Sequence, residues 1–448
     1  FGTTIAGPGD VDGDGTSDVA VGTLWSGAFV YSGADGALLL AIVGGRAVGA
    51  PGDIDGDGHA DVAAAVTGAP GVPAAAHVYS GADGSLLLNL GIAAGAYHLA
   101  GPGDLDSDGV GDLVVSTPQF CGFGRLCTIP QVFAYSCASG TLLGEPLGAG
   151  PGGVFGGGSF TFGETMAALG DLTGDGVPDL AIGAPGATTG TYMLSSPGEV
   201  RVFSGAGFSL LSLFPGAGNE ALGRGLDGPG DVDGDGVPDL IVGAPGYGFV
   251  AGGATEGRAR VISGADASLL FDVVPPAGEF MSLGYAVAGI GDANLDGFPD
   301  FAVGSPGVLA QPSTSVGKVR AYSGAPVGVA PFGSGCAGST GAVPRIGATR
   351  SPRIGTPLRV NLSETIPSTL ALLFLGLTDQ HWWGVPLPLD LSFAGLPGCS
   401  LLVSPDFPVG YTTSLFSGKG RAVAEIPLPA DGALVGASFF AQWYVVDP

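Results

Sequence analysis

A nine-residue pattern occurs six times in this chain, and any fold it adopts must accommodate all six copies. In its fullest form it reads Asp231-Val232-Asp233-Gly234-Asp235-Gly236-Val237-Pro238-Asp239 and runs into the apolar stretch Leu240-Ile241-Val242. Aspartates at positions 1, 3, 5 and 9 offer only oxygen donors, and the position-7 carbonyl of Val237 adds one from the backbone. Such a set suits a hard cation that takes roughly six to eight oxygens, which is Ca²⁺. Glycine at position 6 permits the positive φ of a tight ligand loop. The residues that follow are strand formers ending at Gly243-Ala244-Pro245, so the loop opens a β-strand and not a helix.

The other copies differ little. The first comprises Asp10, Asp12, Asp14 and Asp18 with the carbonyl of Thr16; the second Asp53, Asp55, Asp57 and Asp61 with His59. The third has Asp104, Asp106, Asp108 and Asp112 with Val110. The fourth has Asp171, Thr173, Asp175 and Asp179 with Val177, and the sixth Asp292, Asn294, Asp296 and Asp300 with Phe298. Thr173 and Asn294 replace a carboxylate by a neutral oxygen, so these two loops should hold a cation more weakly. About six Ca²⁺ are expected. Recurrence at such intervals marks a repeat architecture with one supersecondary unit per copy.

Glycine (86 residues) and proline (35) are abundant alongside 45% apolar residues, the composition of a turn-rich all-β protein. The formal charge of −26 is largely local, because 22 of the 40 acidic residues sit in the six loops. Six bound Ca²⁺ would reduce it to −14. Acidity of this origin argues against a nucleic-acid partner. Apolar stretches such as 434–446 are too short to span a bilayer. Phe1 reads as a processed or trimmed N-terminus, with no signal peptide in view. Calcium loops and cysteines together point outside the cytoplasm, to a secreted or cell-surface protein. Of the five cysteines, Cys121 and Cys127 are spaced for a small disulfide loop, and Cys336 and Cys399 can clip the last segment. Cys137 is left at a turn position where sister repeats have Gly81 or Gly205; free buried thiols are the alternative.

Each repeat has the same layout: a short strand, the loop, a strand ending in Gly-Ala-Pro or a variant, a third strand ending in Tyr-Ser-Gly, and a fourth. Examples of the third are Tyr31-Ser32-Gly33 and Tyr322-Ser323-Gly324. Four antiparallel strands per repeat are the unit of a β-propeller blade. The combination of Phe1-Gly2, the aspartate loops and Gly-Ala-Pro resembles the FG-GAP repeat of integrin α subunits and of many secreted bacterial proteins. The resemblance covers residues 1 to about 325. It implies a propeller with Ca²⁺ held between the first two strands of each blade, on one end. Integrin propellers have seven blades; six motifs are present here, and a seventh blade is the alternative. The expected organisation is a propeller over 1–330 and a β-sandwich over 331–448, with strands at 358–362, 369–377, 389–393, 400–403, 421–426 and 437–446.

Insertions at 119–129, 148–163, 187–197, 247–256 and 308–316 should gather on one propeller face and form a surface for a protein or glycan ligand. His381-Trp382-Trp383 is a candidate sugar-stacking cluster, with partial burial in its own domain the simpler reading. Asn361-Leu362-Ser363 matches a glycosylation acceptor but falls in an expected strand. His59 is expected to face solvent. No His is spaced with a Ser or Cys nucleophile, and the glutamates outside the loops are scattered, with a carboxylate pair for glycoside hydrolysis the remaining catalytic alternative. The expected function is therefore a non-catalytic, calcium-stabilised binding or adhesion module. The alternatives are a self-assembling structural subunit and an accessory to a carbohydrate-active enzyme. Self-assembly is suggested by repeat six, where Pro326 and Pro331 interrupt the fourth strand and leave an edge for a second copy.

Overall fold

A computed structural model describes residues 1–23, 27–66, 75–92, 96, 98–117, 130–144, 161–186, 197–246, 257–276, 282–306, 317–325, 336–337, 339, 341, 343–349, 357–392, 399–416, 419–428 and 438–446. Most of the five insertions, and the Cys121–Cys127 pair, lie outside the described residues.

Up to Tyr322 the chain forms six consecutive antiparallel sheets, each with its strands in sequence order. Blade one comprises Thr4–Gly9, Asp18–Gly22, Ala28–Tyr31 and Leu38–Ile42. Blades two, four and five repeat this four-stranded plan. These are blades of a β-propeller, and the fold is all-β.

Alternation of side chains along each strand explains the stacking. The second strands are buried on both faces, as in Asp61–Val66, Asp179–Ala184 and Asp239–Ala244. One face packs on the preceding blade and the other on the next. Val30, Val48 and Val62 join blades one and two; Val78, Leu113 and Val115 join two and three. Phe162, Leu180 and Phe203 belong to the third junction, Val202 and Leu240 to the fourth, and Ile241, Val261 and Phe301 to the fifth. Among the described residues no such core joins blade six to blade one. Ile5 (68% exposed) on blade one and Val319 (75%) on blade six face outward instead.

Blade six has three described strands, Ala286–Gly291, Asp300–Ser305 and Lys318–Tyr322, and the interrupted stretch that includes Pro326 and Pro331 lies outside the described residues. Of the fourth strand expected in blade three, the described residues contain one bridge between Tyr135 and Leu142, and residues 145–160 lie outside them.

The C-terminal part is a sandwich of two sheets. One contains Arg345–Thr349, Pro357–Thr365, Lys419–Pro427 and Ser414–Phe416; the other, Phe407–Thr412, Leu370–Gly376 and Phe440–Val445. Leu358, Val360, Leu373 and Ala424 form the core between them, with Tyr411 and Trp443 packed against it. A Cys336–Cys399 disulfide ties this part together, and Cys137 is a buried free thiol. Burial pushes the Cys137 thiol up to about 12, which disfavours the thiolate. In the aromatic cluster Trp382 is partly buried, as the simpler reading expects, whereas Trp383 sits at a hairpin turn with φ of 50° and is 92% exposed. Asn361 is fully buried, which removes it as a glycosylation acceptor in the folded protein.

Candidate metal centres

Every aspartate loop lies between the first and second strands of its blade. The loop is shaped by its own backbone. Position 6 carries Gly15, Gly58, Gly109, Gly176, Gly236 or Gly297, all with φ between 89° and 91°. Only glycine adopts that geometry without strain. Position 4 is also left-handed, and there Ser107 and Leu295 stand where the other loops have glycine.

Three of the aspartates have fixed roles in all six copies. The position-1 carboxylate accepts the position-6 N–H at 2.8–2.9 Å. The position-5 carboxylate accepts the position-7 N–H at 2.8–3.0 Å, tying down Thr16, His59, Val110, Val177, Val237 and Phe298. Position 9 differs from the others. One oxygen of Asp18, Asp61, Asp112, Asp179, Asp239 or Asp300 accepts the position-2 N–H at 2.6–3.0 Å. The other oxygen accepts an N–H at 2.9–3.2 Å from the turn after the third strand: Gly33, Gly81, Cys137, Gly205, Gly264 or Gly324. This buried carboxylate therefore staples the loop to the far side of its own blade. Sequence reading had given it only a ligand's role. The signal was available, since each third strand ends in the same Ser-Gly or Ser-Cys turn.

The remaining oxygens converge. Carboxylate oxygens of Asp10, Asp12 and Asp18 lie within 4.8 Å of one another, as do those of Asp53, Asp55 and Asp57, of Asp104, Asp106 and Asp108, and of Asp231, Asp233 and Asp239. Loops four and six, with Thr173 and Asn294, do not bring three carboxylates this close among the described residues. The difference follows the expected ranking of affinities. An all-oxygen donor set around such a point fits a hard divalent cation.

Electrostatics point the same way. Burial, reinforced by Asp235, pushes Asp231 up to about 6. Burial and the charges of Asp233 and Asp231 hold Asp239 well above the usual carboxylate range. Asp112 is raised to about 6, mainly by burial. A bound cation would remove this cost by favouring the ionised forms. His59 corrects the expectation of a solvent-facing side chain. Its Nδ1 lies 2.9 Å from the carbonyl oxygen of Val11, so it reaches into the loop of the preceding blade.

A second group of polar residues gathers at the opposite end of the blades, where the first strands begin. The Arg224 guanidinium lies 3.3 Å from Glu164, donates to the Tyr285 hydroxyl at 2.6 Å and stacks over that ring. His98 starts the first strand of blade three. Burial, with Arg224 and Arg46 nearby, pushes its pKa down to about 4.

Comparison with known proteins agrees with this architecture. The FG-GAP repeat family matches residues 162–203 and 228–262. Bovine phosphatidylinositol-glycan-specific phospholipase D is 36% identical over 166 residues, covering 34% of this chain and 18% of that protein. Human integrin alpha-7 is 34% identical over 149 residues (32% of this chain, 11% of the integrin), and mouse integrin alpha-8 is 34% identical over 179 (37% and 16%). The aligned part is thus less than a fifth of each relative's length. Two stretches of the chain thus match the FG-GAP repeat, and over about a third of its length the chain is similar to integrin α subunits. The repeat is shared by a relative named as an enzyme and by relatives named as integrins, so it does not by itself decide between catalysis and binding.

Proposed function

We propose that this is a secreted or cell-surface binding module of adhesion type, non-catalytic and stabilised by about six Ca²⁺. Residues 1–330 form the propeller domain and 331–448 the sandwich domain. Oxygens from positions 1, 3, 5 and 9, with the position-7 carbonyl, hold each ion. The ions neutralise clustered carboxylates and fix the geometry of one end of the blades. That leaves the opposite end for a protein or glycan ligand.

The observation that carries this reading is the division of labour between the two ends. Six loops repeat one structural device at one end. At the other, the residues near the starts of the first strands, among them Arg46, His98, Glu164, Arg224 and Tyr285, are polar and vary from blade to blade. Repeated residues serve the scaffold, and divergent ones on a rigid scaffold serve recognition. A screen of glycans and surface proteins in Ca²⁺ tests it, with Arg224→Ala as the probe. Loss of a captured ligand in that variant, with an unchanged circular dichroism spectrum, is the expected result. Equal binding by Arg224→Ala would place recognition elsewhere.

A second reading, self-association, is favoured by blade six, whose described strands leave Val319 exposed on an outer strand. Sedimentation in Ca²⁺ decides it: a monomer at high concentration would dismiss this reading.

A further inference from the structure

The loop of blade five differs from the other five in where it sits. Asp233 is 2% exposed and Asp235 7%, whereas Asp12, Asp14, Asp55, Asp57, Asp106 and Asp108 all face solvent. The C-terminal sandwich covers loop five. The Asn361 side-chain amide, from strand Pro357–Thr365, donates to the Asp233 carbonyl at 3.0 Å. Gly347, on the neighbouring strand, approaches so closely that a Cβ there would lie 2.5 Å from the Gly234 Cα. A Cβ on Gly236 would meet Ser363 at 3.1 Å and Arg421 at 3.8 Å. Around this centre, Arg359 pairs with Asp266 at 2.9 Å, and Arg345 reaches the Gly297 carbonyl of loop six. A cleft of about 170 Å³, lined in part by Asp171, Ser363 and Arg421, separates the sandwich from loop four.

This arrangement carries four aspartates into an interface. Burying like charges together is unfavourable unless counter-charge enters with them. Arg421 of the sandwich brings a positive charge near Asp235, and Arg359, already paired with Asp266 and Glu425, adds less, so the four carboxylates stay under-compensated. A divalent cation would supply the remainder. We propose that loop five is a cation-built dock for the C-terminal domain, so that Ca²⁺ in this one loop sets whether the two domains stay joined. The inference rests on the calcium reading above. When the loop is empty, undocking lets water solvate its carboxylates. When it is filled, Gly347, Asn361 and the two guanidinium groups close over a loop whose charge is balanced. Linkage then requires that docking strengthen cation binding by the same factor as the cation strengthens docking.

The test uses the full chain, small-angle X-ray scattering for domain separation, and calcium titration calorimetry for site number. Chelation with EGTA should increase the radius of gyration. Asp233→Asn with Asp235→Asn, which removes two of the four charges, should leave the domains docked even in EGTA, while Asp55→Asn with Asp57→Asn, in loop two, should let them separate in EGTA as the unaltered chain does. Gly347→Val should separate the domains in Ca²⁺ and weaken one site of the six by about tenfold. Asn361→Ala, which inserts nothing, is the second probe should the valine variant misfold. If calcium binds at all six loops but the radius of gyration is unchanged in EGTA, or if the loop-five and loop-two variants behave alike, the dock is wrong and the calcium reading stands. If calorimetry finds no calcium binding, both fail.

Discussion

Asp61 offers a sharp test of the staple at position 9. It is fully buried, and its two oxygens accept the N–H groups of Ile54 at 2.7 Å and Gly81 at 3.0 Å. Asp61→Ala deletes both acceptors and orphans two backbone donors. Hydrogen bonds to a charged group contribute about 1.5–3 kcal/mol each, which gives a gross loss of about 3–6 kcal/mol. Relief of the carboxylate's own burial cost, which raises its pKa, offsets part of this, so about 3 kcal/mol is expected. Asp57 is the control. It is exposed and holds one N–H, that of His59, so Asp57→Ala should cost under about 1 kcal/mol in the absence of metal. Both variants are unfolded by urea in excess EGTA, which removes any ligand role. Hydrogen exchange at Ile54 and Gly81 localises the effect to blade two. Equal losses for the two variants, or protection at Gly81 that survives Asp61→Ala, would refute the staple.

Other consequences are more local. His98 has its pKa pushed from 6.5 down to about 4, so between these values the unfolded chain binds a proton that the folded chain does not. Stability from this group is complete above pH 6.5 and falls on acidification toward pH 4, by about 3 kcal/mol in all; His98→Gln should flatten that part of the pH–stability curve relative to wild type. Leu295 is 88% exposed and left-handed at a position where four sister loops have glycine, so Leu295→Gly should raise the urea midpoint, by about 0.5–1 kcal/mol of stability. Reducing the Cys336–Cys399 disulfide, which spans 63 residues, should cost the sandwich about 4 kcal/mol, read as an earlier melting transition for that part alone.

The repeat carried most of what sequence could reveal. Ligand spacing and the period of the motifs located the loops, the strand order and the blades, because a hard-cation loop leaves its oxygens at fixed positions in the chain. Strand Phe407–Thr412 was missed since Pro408 and Gly410 read as turn residues. It is an edge strand, paired only with Leu370–Gly376, and an edge tolerates proline. The staple role of Asp61 and its counterparts was masked for another reason: a ligand and a hydrogen-bond staple call for the same side chain, and only the recurrent Ser-Gly or Ser-Cys turn hinted at the second. His59 reaching Val11, and Gly347 against Gly234, are contacts between units distant in sequence, which no local pattern encodes.

The central claim is that the six loops hold Ca²⁺ and that the propeller depends on it. Calcium counted per chain after equilibration in roughly millimolar Ca²⁺, paired with melting curves in Ca²⁺ and in excess EGTA, tests this directly. The account predicts about six ions, the weakest at the loops of Thr173 and Asn294, and a lower melting temperature once they are removed. An unchanged melting curve in EGTA, or a chain that retains no calcium, would contradict it.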